Sequence, residues 1–448
     1  VTPIARSFDS RQRLLVATVG VMMAYNALDL FVWGLVLDDV KRDLRLSDTQ
    51  LGVLSGFAYS LFYALMGFPI ARWADRGFRV AVISLATLLS GIALALIGAT
   101  QTFAQLLLVR IAVAVGDAGC APASQSLIAS HFTRAERPQA SSLVLVGATT
   151  AGVVGPPLAG WLSEAYGWRA TFMLIGWVGL VLGVVAWWTL RRFETGTTDS
   201  MCETPHQRES AQKFIAAVDP NYGDVLSTLR ASKALRYILL GWVIATLLGT
   251  GLATWEAVFF RRVHGLQTAE LGAWLGAVKL LGLAGIYGGG HLASRYAPND
   301  ERRQLRAMGI AFAAFAVLGA SVYLVSDYRM AFALKSLKAV AGYLVIAPTF
   351  ALLQTLVAPA VRATMFAAYL FLNHFFGGGA GPLAVGAFSD MLEPLLGLES
   401  IRYALIATCP GYLLGGWCFW RASRTVMSDI AHVIAVNDRS KAPASAIP

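Results

Sequence analysis

Long apolar runs alternate with short polar turns along almost the whole chain. Each run holds about 20 residues, enough to cross a hydrocarbon layer of roughly 30 Å as a helix. The pattern predicts twelve helices, at residues 14–37, 51–71, 80–99, 103–129, 140–163, 170–190, 236–260, 268–292, 305–325, 331–356, 362–388 and 401–421. Only helices and closed barrels satisfy their backbone groups within lipid, so the chain reads as an all-α membrane protein. A polar stretch separates two sets of six. The expected organisation is a six-helix bundle over 1–190, a cytoplasmic linker over 191–235, a second bundle over 236–421 and a cytoplasmic tail over 422–448. Within the linker, Asp224 to Arg236 suits a short amphipathic helix at the membrane surface. The tail is polar enough to be expected disordered.

Two internal echoes relate the halves. The second predicted helix leaves through Ala71-Arg72-Trp73-Ala74-Asp75-Arg76-Gly77-Phe78-Arg79, and the eighth through Gly290-His291-Leu292-Ala293-Ser294-Arg295. The turns lie about 219 residues apart, as two copies of one membrane unit would place them. The fifth helix ends in Gly155-Pro156-Pro157-Leu158-Ala159-Gly160-Trp161-Leu162-Ser163-Glu164, and the eleventh in Gly381-Pro382-Leu383-Ala384-Val385-Gly386-Ala387-Phe388-Ser389-Asp390. Gly, Pro, Gly, Ser and an acid recur in register. Gly155, Pro156, Gly160, Gly381, Pro382 and Gly386 are therefore candidate hinges, where neighbouring helices tolerate a local bend.

Composition agrees with a bilayer. The 448 residues are 56% hydrophobic and 14% charged, with a mean hydropathy of +0.60, whereas a soluble chain carries about a quarter charged residues. The 43 glycines suit helices that approach closely through small residues. Cys120, Cys409 and Cys418 fall in apolar runs and Cys202 in the linker, so no disulfide framework is expected. Val1 to Arg13 is short, polar and basic, and the apolar run behind it is too long for a cleavable signal core. The net charge of +10 raises nucleic acid as a partner. Its distribution points to lipid instead. With both termini inside, roughly 24 of the 36 Lys and Arg fall in cytoplasmic segments, roughly 8 outside and roughly 4 within helices.

At the two echoed turns the chain resembles the major facilitator superfamily, over nearly all of 14–421. Asp75-Arg76 and Arg79 resemble its signature between the second and third helices, and Gly152 to Gly160 resembles its fifth-helix motif. Leu46-Ser47-Asp48-Thr49-Gln50-Leu51-Gly52, Ala74-Asp75-Arg76-Gly77, Gly116-Asp117-Ala118-Gly119 with Ala121-Pro122, and Ser400-Ile401-Arg402-Tyr403-Ala404 resemble the spinster-like branch. The chain departs from that branch where Leu30 follows Asp29, where Asp117 replaces a Glu, and at Trp255-Glu256-Ala257. The resemblance implies twelve transmembrane helices in two pseudo-symmetric six-helix bundles that rock against each other.

Ionisable residues within membrane helices are functional candidates by default. Asp29 and Arg110 lie at similar depths in the first and fourth helices, which the superfamily packs together, so a titratable ion pair is expected there. A permanent structural pair is the alternative. Asp117 lies two turns from Arg110 on the same face and either carries the proton or is held by its neighbours. Asn26, one turn before Asp29, joins the same cavity. In the second half Trp255, Glu256, Lys279, Lys338, Tyr369, Asn373 and His374 are candidate cavity residues for an amphiphile or anion. Equally, Glu256 could neutralise Lys338, and Asn373 and His374 could satisfy each other. At the charged turn, Asp75 is expected to meet the helix end near Arg362-Ala363-Thr364, and Arg76 and Arg79 to pair with Glu136, closing a cytoplasmic gate. Ser294 replaces the acid in the second copy, making it the weaker latch.

The expected activity is secondary active transport by a rocker switch, coupled to protons, of an amphiphilic or anionic small molecule such as a lysolipid or sphingoid lipid. A drug or organic-anion exporter, a uniporter and a lipid-sensing receptor on the same fold are the alternatives. HExxH, GxSxG and GxxxxGK[ST] are absent, which argues against an enzyme or a nucleotide-driven pump. No cofactor or metal is expected. The expected partners are the small-molecule or lipid substrate, protons and membrane lipids, without nucleic acid. The expected setting is a monomer in a bacterial inner membrane, both termini cytoplasmic.

Overall fold

A backbone amide out of reach of water needs an internal partner, and an α-helix supplies one residue by residue. In the computed structural model the described residues are 8–133, 136–193, 222–296, 300–357, 365, 369 and 371–441. Among them all regular structure is helical. The first part gives α1 (Ser10–Leu44), α2 (Asp48–Gly52), a π-helical turn (Val53–Phe57), α3 (Ala58–Asp75), α4 (Arg79–Ile97), α5 (Phe103–His131) and α6 (Arg137–Leu190). Next come α7 (Tyr222–Ala231), α8 (Lys233–His264), α9 (Thr268–Tyr296), α10 (Glu301–Leu324), α11 (Tyr328–Leu344) and α12 (Ile346–Thr355). A second π turn (Asn373–Gly378), α13 (Gly379–Leu396), α14 (Ser400–Thr408) and α15 (Gly411–Lys441) complete the order. Seven helical runs among the described residues are long and apolar enough to cross a membrane, and one of them, Gln139–Phe193, covers two predicted segments.

Where helix ends differ from the sequence reading, the cause is polar chemistry there, whereas the helices expected at 331–356 and 401–421 are each interrupted internally, at Val345 and at Cys409-Pro410. Hydropathy places the first helix at 14–37, but α1 starts at a capping box between Asp9 and Gln12 and runs to Leu44, closing on Arg45 in the left-handed region. Charged turns extend a helix beyond the apolar layer without interrupting it. The segments at 140–163 and 170–190 are two helices that meet at a kink at Gly167, whose φ of 80° and ψ of 162° are non-helical and favour glycine. Gly77, at φ 105°, turns the chain between α3 and α4 for the same reason. α15 continues as helix through 422 to Lys441, where the sequence reading expected a disordered tail. Residues 194–221 of the linker, Arg362-Ala363-Thr364 and 442–448 lie outside the described residues.

The chain divides into two compact units. The first holds Val1–Glu209 together with Glu256–Gly276; the second holds Ser210–Trp255 and Ala277–Pro448. In the first, Leu15, Val19, Ile83, Leu127, Phe132 and Val144 form part of one buried cluster. Lipid tails are as apolar as leucine, so contact quality rather than water exclusion holds such helices together. Gly176 of α6 shows it: a Cβ there would collide with the backbone of Ala95 and Gly91 on α4. In the second unit Phe312 stacks on Phe419 at 5.0 Å between centroids, joining α10 to α15.

Candidate functional site

Four helices of the first unit bring polar groups into one buried group. Arg110 of α5 donates through Nη1 to both oxygens of Asp29 on α1, at 2.9 and 2.7 Å. The two residues are 0% and 1% exposed, so the pair is enclosed by protein. Arg110 Nε and Nη2 have no hydrogen-bond partner among the described residues. The guanidinium lies 4.4 Å from the Trp33 ring and 5.2 Å from that of Tyr59. Aromatic faces attract a cation more strongly when it is desolvated. Trp33 is fixed in turn, since its Nε1 donates to Ser55 Oγ at 2.7 Å within the first π turn. A π turn adds a residue to the helix and re-aims its side chains; here it presents Ser55 to Trp33.

Asp117 lies two turns along α5, buried. Tyr59 of α3 donates to its Oδ2 and Ser90 of α4 to its Oδ1, each at 2.8 Å. Among the described residues no cation forms an ion pair with it. Gly116 makes this approach possible: a Cβ there would overlap Ser90 Oγ and lie 2.9 Å from the Ala86 carbonyl oxygen. Asn26 donates back to the Met22 carbonyl at 3.0 Å, and its buried Oδ1 has no partner among the described residues. Among the described residues the buried Tyr25 hydroxyl also lacks a partner, in space opened by Gly179. Sequence reasoning passed over Tyr25, Trp33, Ser55, Tyr59 and Ser90. Tyr59 and Tyr63 at helical spacing, and Ser90 before Gly91 in an otherwise apolar run, were the available signals.

Of the other candidates, Trp255 is fully buried and donates to the Pro382 carbonyl at 2.8 Å, a packing contact inside the second unit. Glu256, its neighbour in sequence, is buried and belongs to the first unit. Lys338 stands 5.4 Å from the Tyr412 ring centre, and Lys279 is half-buried on α9. Tyr369 is buried. Asn373 and His374 open the second π turn, where Asn373 Oδ1 is buried without a partner among the described residues. At the charged turn Arg76 is exposed, and Arg79 Nε is buried with no partner among the described residues. Glu136 Oε2 accepts from the Thr133 amide at 3.1 Å, within its own loop. The side chains of Asp75 and Ser294 lie outside the described residues.

The glycines of the two echoed motifs sit at close helix approaches. A Cβ on Gly155 would meet Leu28 Cδ1 at 2.7 Å, and one on Gly160 would overlap the Thr268 carbonyl. In the second unit a Cβ on Gly381 would overlap the Leu247 carbonyl. Pro156 lies inside α6, and Pro382 and Gly386 are buried in α13.

A second set of charges, unforeseen from the sequence, sits at the end of the first unit where α1 meets α2. Arg262 donates from Nη1 and Nη2 to Asp48, both at 2.9 Å, and from Nε to Asp38 at 2.8 Å. Arg261 grips Asp39 with two bonds of 2.6 and 2.7 Å. Lys41 reaches Asp48 at 2.9 Å. Asp48 opens α2 behind the Ser47 cap, so the helix dipole also favours its charge.

The chain matches the Major Facilitator Superfamily over residues 14–382. It belongs to that superfamily, and it is an integral membrane transporter. It is 33% identical over 424 residues to an MFS-type efflux pump of Mycolicibacterium smegmatis, covering 92% of this chain and 94% of that one. It is 23% identical over 451 residues to protein spinster homolog 1 of Xenopus tropicalis, covering 92% and 81%. Its fold is similar to the crystal structure of a bacterial homolog of the human lysosomal transporter spinster, with a TM-score of 0.82 at 24% identity, covering 94% of this chain and 99% of that one.

Proposed function

We propose that this transporter is a proton-coupled exporter of an amphiphilic small molecule, lipid-like or drug-like, and that Asp117 carries the coupling proton. The observation that carries the reading is the pair of hydroxyls on Asp117. A hydroxyl donates to a carboxylate and, after rotating, accepts from a carboxylic acid, so the site holds either form without leaving a polar atom stranded. Asp29 does not share this latitude. Its charge is matched by Arg110 in a closed pair, and protonating it would leave a buried guanidinium unpaired. The spare Nε and Nη2 of Arg110 make it the responding group, able to take up a second acceptor when the charge on α5 changes. This assigns Asp29 the fixed position and Asp117 the titrating one.

Export is favoured by the relative named an efflux pump, and the lipid end of the substrate range by the spinster-like resemblance. Asn26 in the first unit and Asn373 in the second, each with a buried oxygen that lacks a partner among the described residues, are the leading candidates for substrate contact. Trp255 is committed to packing. With both termini cytoplasmic, as the basic residues favour, the Asp48 end faces outward from a bacterial inner membrane. The test is uptake into proteoliposomes with an imposed pH gradient, using a lysolipid, a sphingoid base, an organic cation and an organic anion. The reading expects at least one to accumulate with the gradient and to lose accumulation when it is collapsed. Transport indifferent to the gradient for every compound moved would make the protein a uniporter.

A further inference from the structure

Within the second unit, α15 packs against α8 and α10 at the end where those two helices begin. Along α15, Leu413, Trp417, Trp420 and Arg424 recur at steps of four, three and four residues, so they share one face, and all are exposed. Arg421, one turn beyond Trp417, places its guanidinium 5.4 Å from that ring. Arg306 of α10 stands 5.6 Å from the Trp420 ring. Tyr237 of α8 meets Trp417 edge to face at 5.9 Å and steadies it. Beneath them the helices approach closely: a Cβ on Gly416 would lie 2.8 Å from the Gly309 carbonyl oxygen. Side chains of α10 and α15 are thereby brought to one surface.

That surface carries cations without matching acids. Among the described residues no carboxylate forms an ion pair with Arg306, Arg421 or Arg424. Two acids at this end are engaged elsewhere. Asp300 holds Arg303, and Asp429 accepts from the Ser232 hydroxyl and the Ala234 amide, each at 2.8 Å. A ring beside a guanidinium holds it without using its N–H groups, so Arg306 and Arg421 keep donors for an acceptor with several oxygens, as a phosphate has. Farther into the same helices the exposed residues turn apolar, with Leu240 on α8, Ile310 on α10 and Leu413 and Leu414 on α15. Basic side chains at headgroup depth beside an apolar bed match a phospholipid, whose phosphate and acyl chains lie in that order. We propose that this surface holds one anionic diacyl phospholipid, its phosphate on Arg306 and Arg421 and its chains along α10 and α15. It is a resident lipid rather than cargo, bound on an exposed face, and its measurement stands whether or not any lysolipid is transported.

The test is native mass spectrometry of the purified, delipidated full chain, titrated with phosphatidylglycerol or with phosphatidylcholine of identical acyl chains. The first phosphatidylglycerol is expected to bind about ten-fold more tightly than the first phosphatidylcholine. Arg306→Gln combined with Arg421→Gln is expected to bring the two lipids within about two-fold of each other, and either single substitution to lose part of the preference. Arg192, 5.1 Å from Trp188 in the first unit, is a like pair outside the site, and Arg192→Gln is expected to leave the preference whole. Wild-type protein that binds both lipids equally overturns the proposal. So does a double variant that keeps the preference, or an Arg192→Gln variant that loses it as fully as the double one.

Discussion

Arg110 and Arg262 are both buried among carboxylates in the same unit, yet they are used differently. Arg262 engages all three side-chain nitrogens, with Asp38 and Asp48. Arg110 engages only Nη1, with Asp29, and keeps Nε and Nη2 open beneath two aromatic rings. An arginine anchored through all three nitrogens is fixed in place by its carboxylates. An arginine with spare donors can respond to a neighbour without leaving its first partner. The difference separates fastening from coupling, and substitutions at the two places are expected to diverge.

The largest effect is expected at Arg110. Arg110→Ala leaves Asp29 enclosed without a counter-charge, a loss of about 3 to 5 kcal/mol read from thermal unfolding in detergent. Arg262→Gln leaves Lys41 on Asp48 and Arg42 on Asp38, so its loss is expected nearer 1 to 3 kcal/mol, roughly a hydrogen-bonded charge. Equal losses at the two arginines would erase the contrast. Gly116→Ala thrusts a methyl at Ser90 Oγ, with an expected cost of about 1 to 3 kcal/mol from overpacking, accompanied by loss of gradient-driven transport. Ser90→Ala removes one hydroxyl from Asp117 and is expected to cost about 1 kcal/mol while keeping the fold. Should Ser90→Ala unfold the protein as readily as Arg110→Ala, Asp117 depends on its hydroxyls far more than the geometry implies.

Much of the architecture was legible in the sequence because lipid imposes a length and a polarity that hydropathy records directly. The membrane helices and the superfamily followed from that and from two echoed turns. Helix ends were less legible, since Asp38 to Leu44 and Ala422 to Lys441 stay helical through charges that hydropathy counts as turn. Asp29, Arg110 and Asp117 stood out as charges in apolar runs. Their neutral partners did not: Tyr59 and Ser90 look like ordinary helix residues until α3 and α4 bring them to Asp117. The Arg262 group was hidden for the opposite reason. Asp38, Asp48 and Arg262 lie at segment ends, where charged residues are commonplace, and only their convergence over 214 positions of sequence distinguishes them.

The central claim is that Asp117, not Asp29, carries the coupling proton. Asp117→Asn keeps an amide that the Tyr59 and Ser90 hydroxyls can still bond, but it cannot titrate. In proteoliposomes, this variant is predicted to exchange labelled for unlabelled substrate at near the wild-type rate while failing to accumulate it under a pH gradient. Asp117→Asn protein that accumulates substrate along the gradient as well as the wild type would contradict the account.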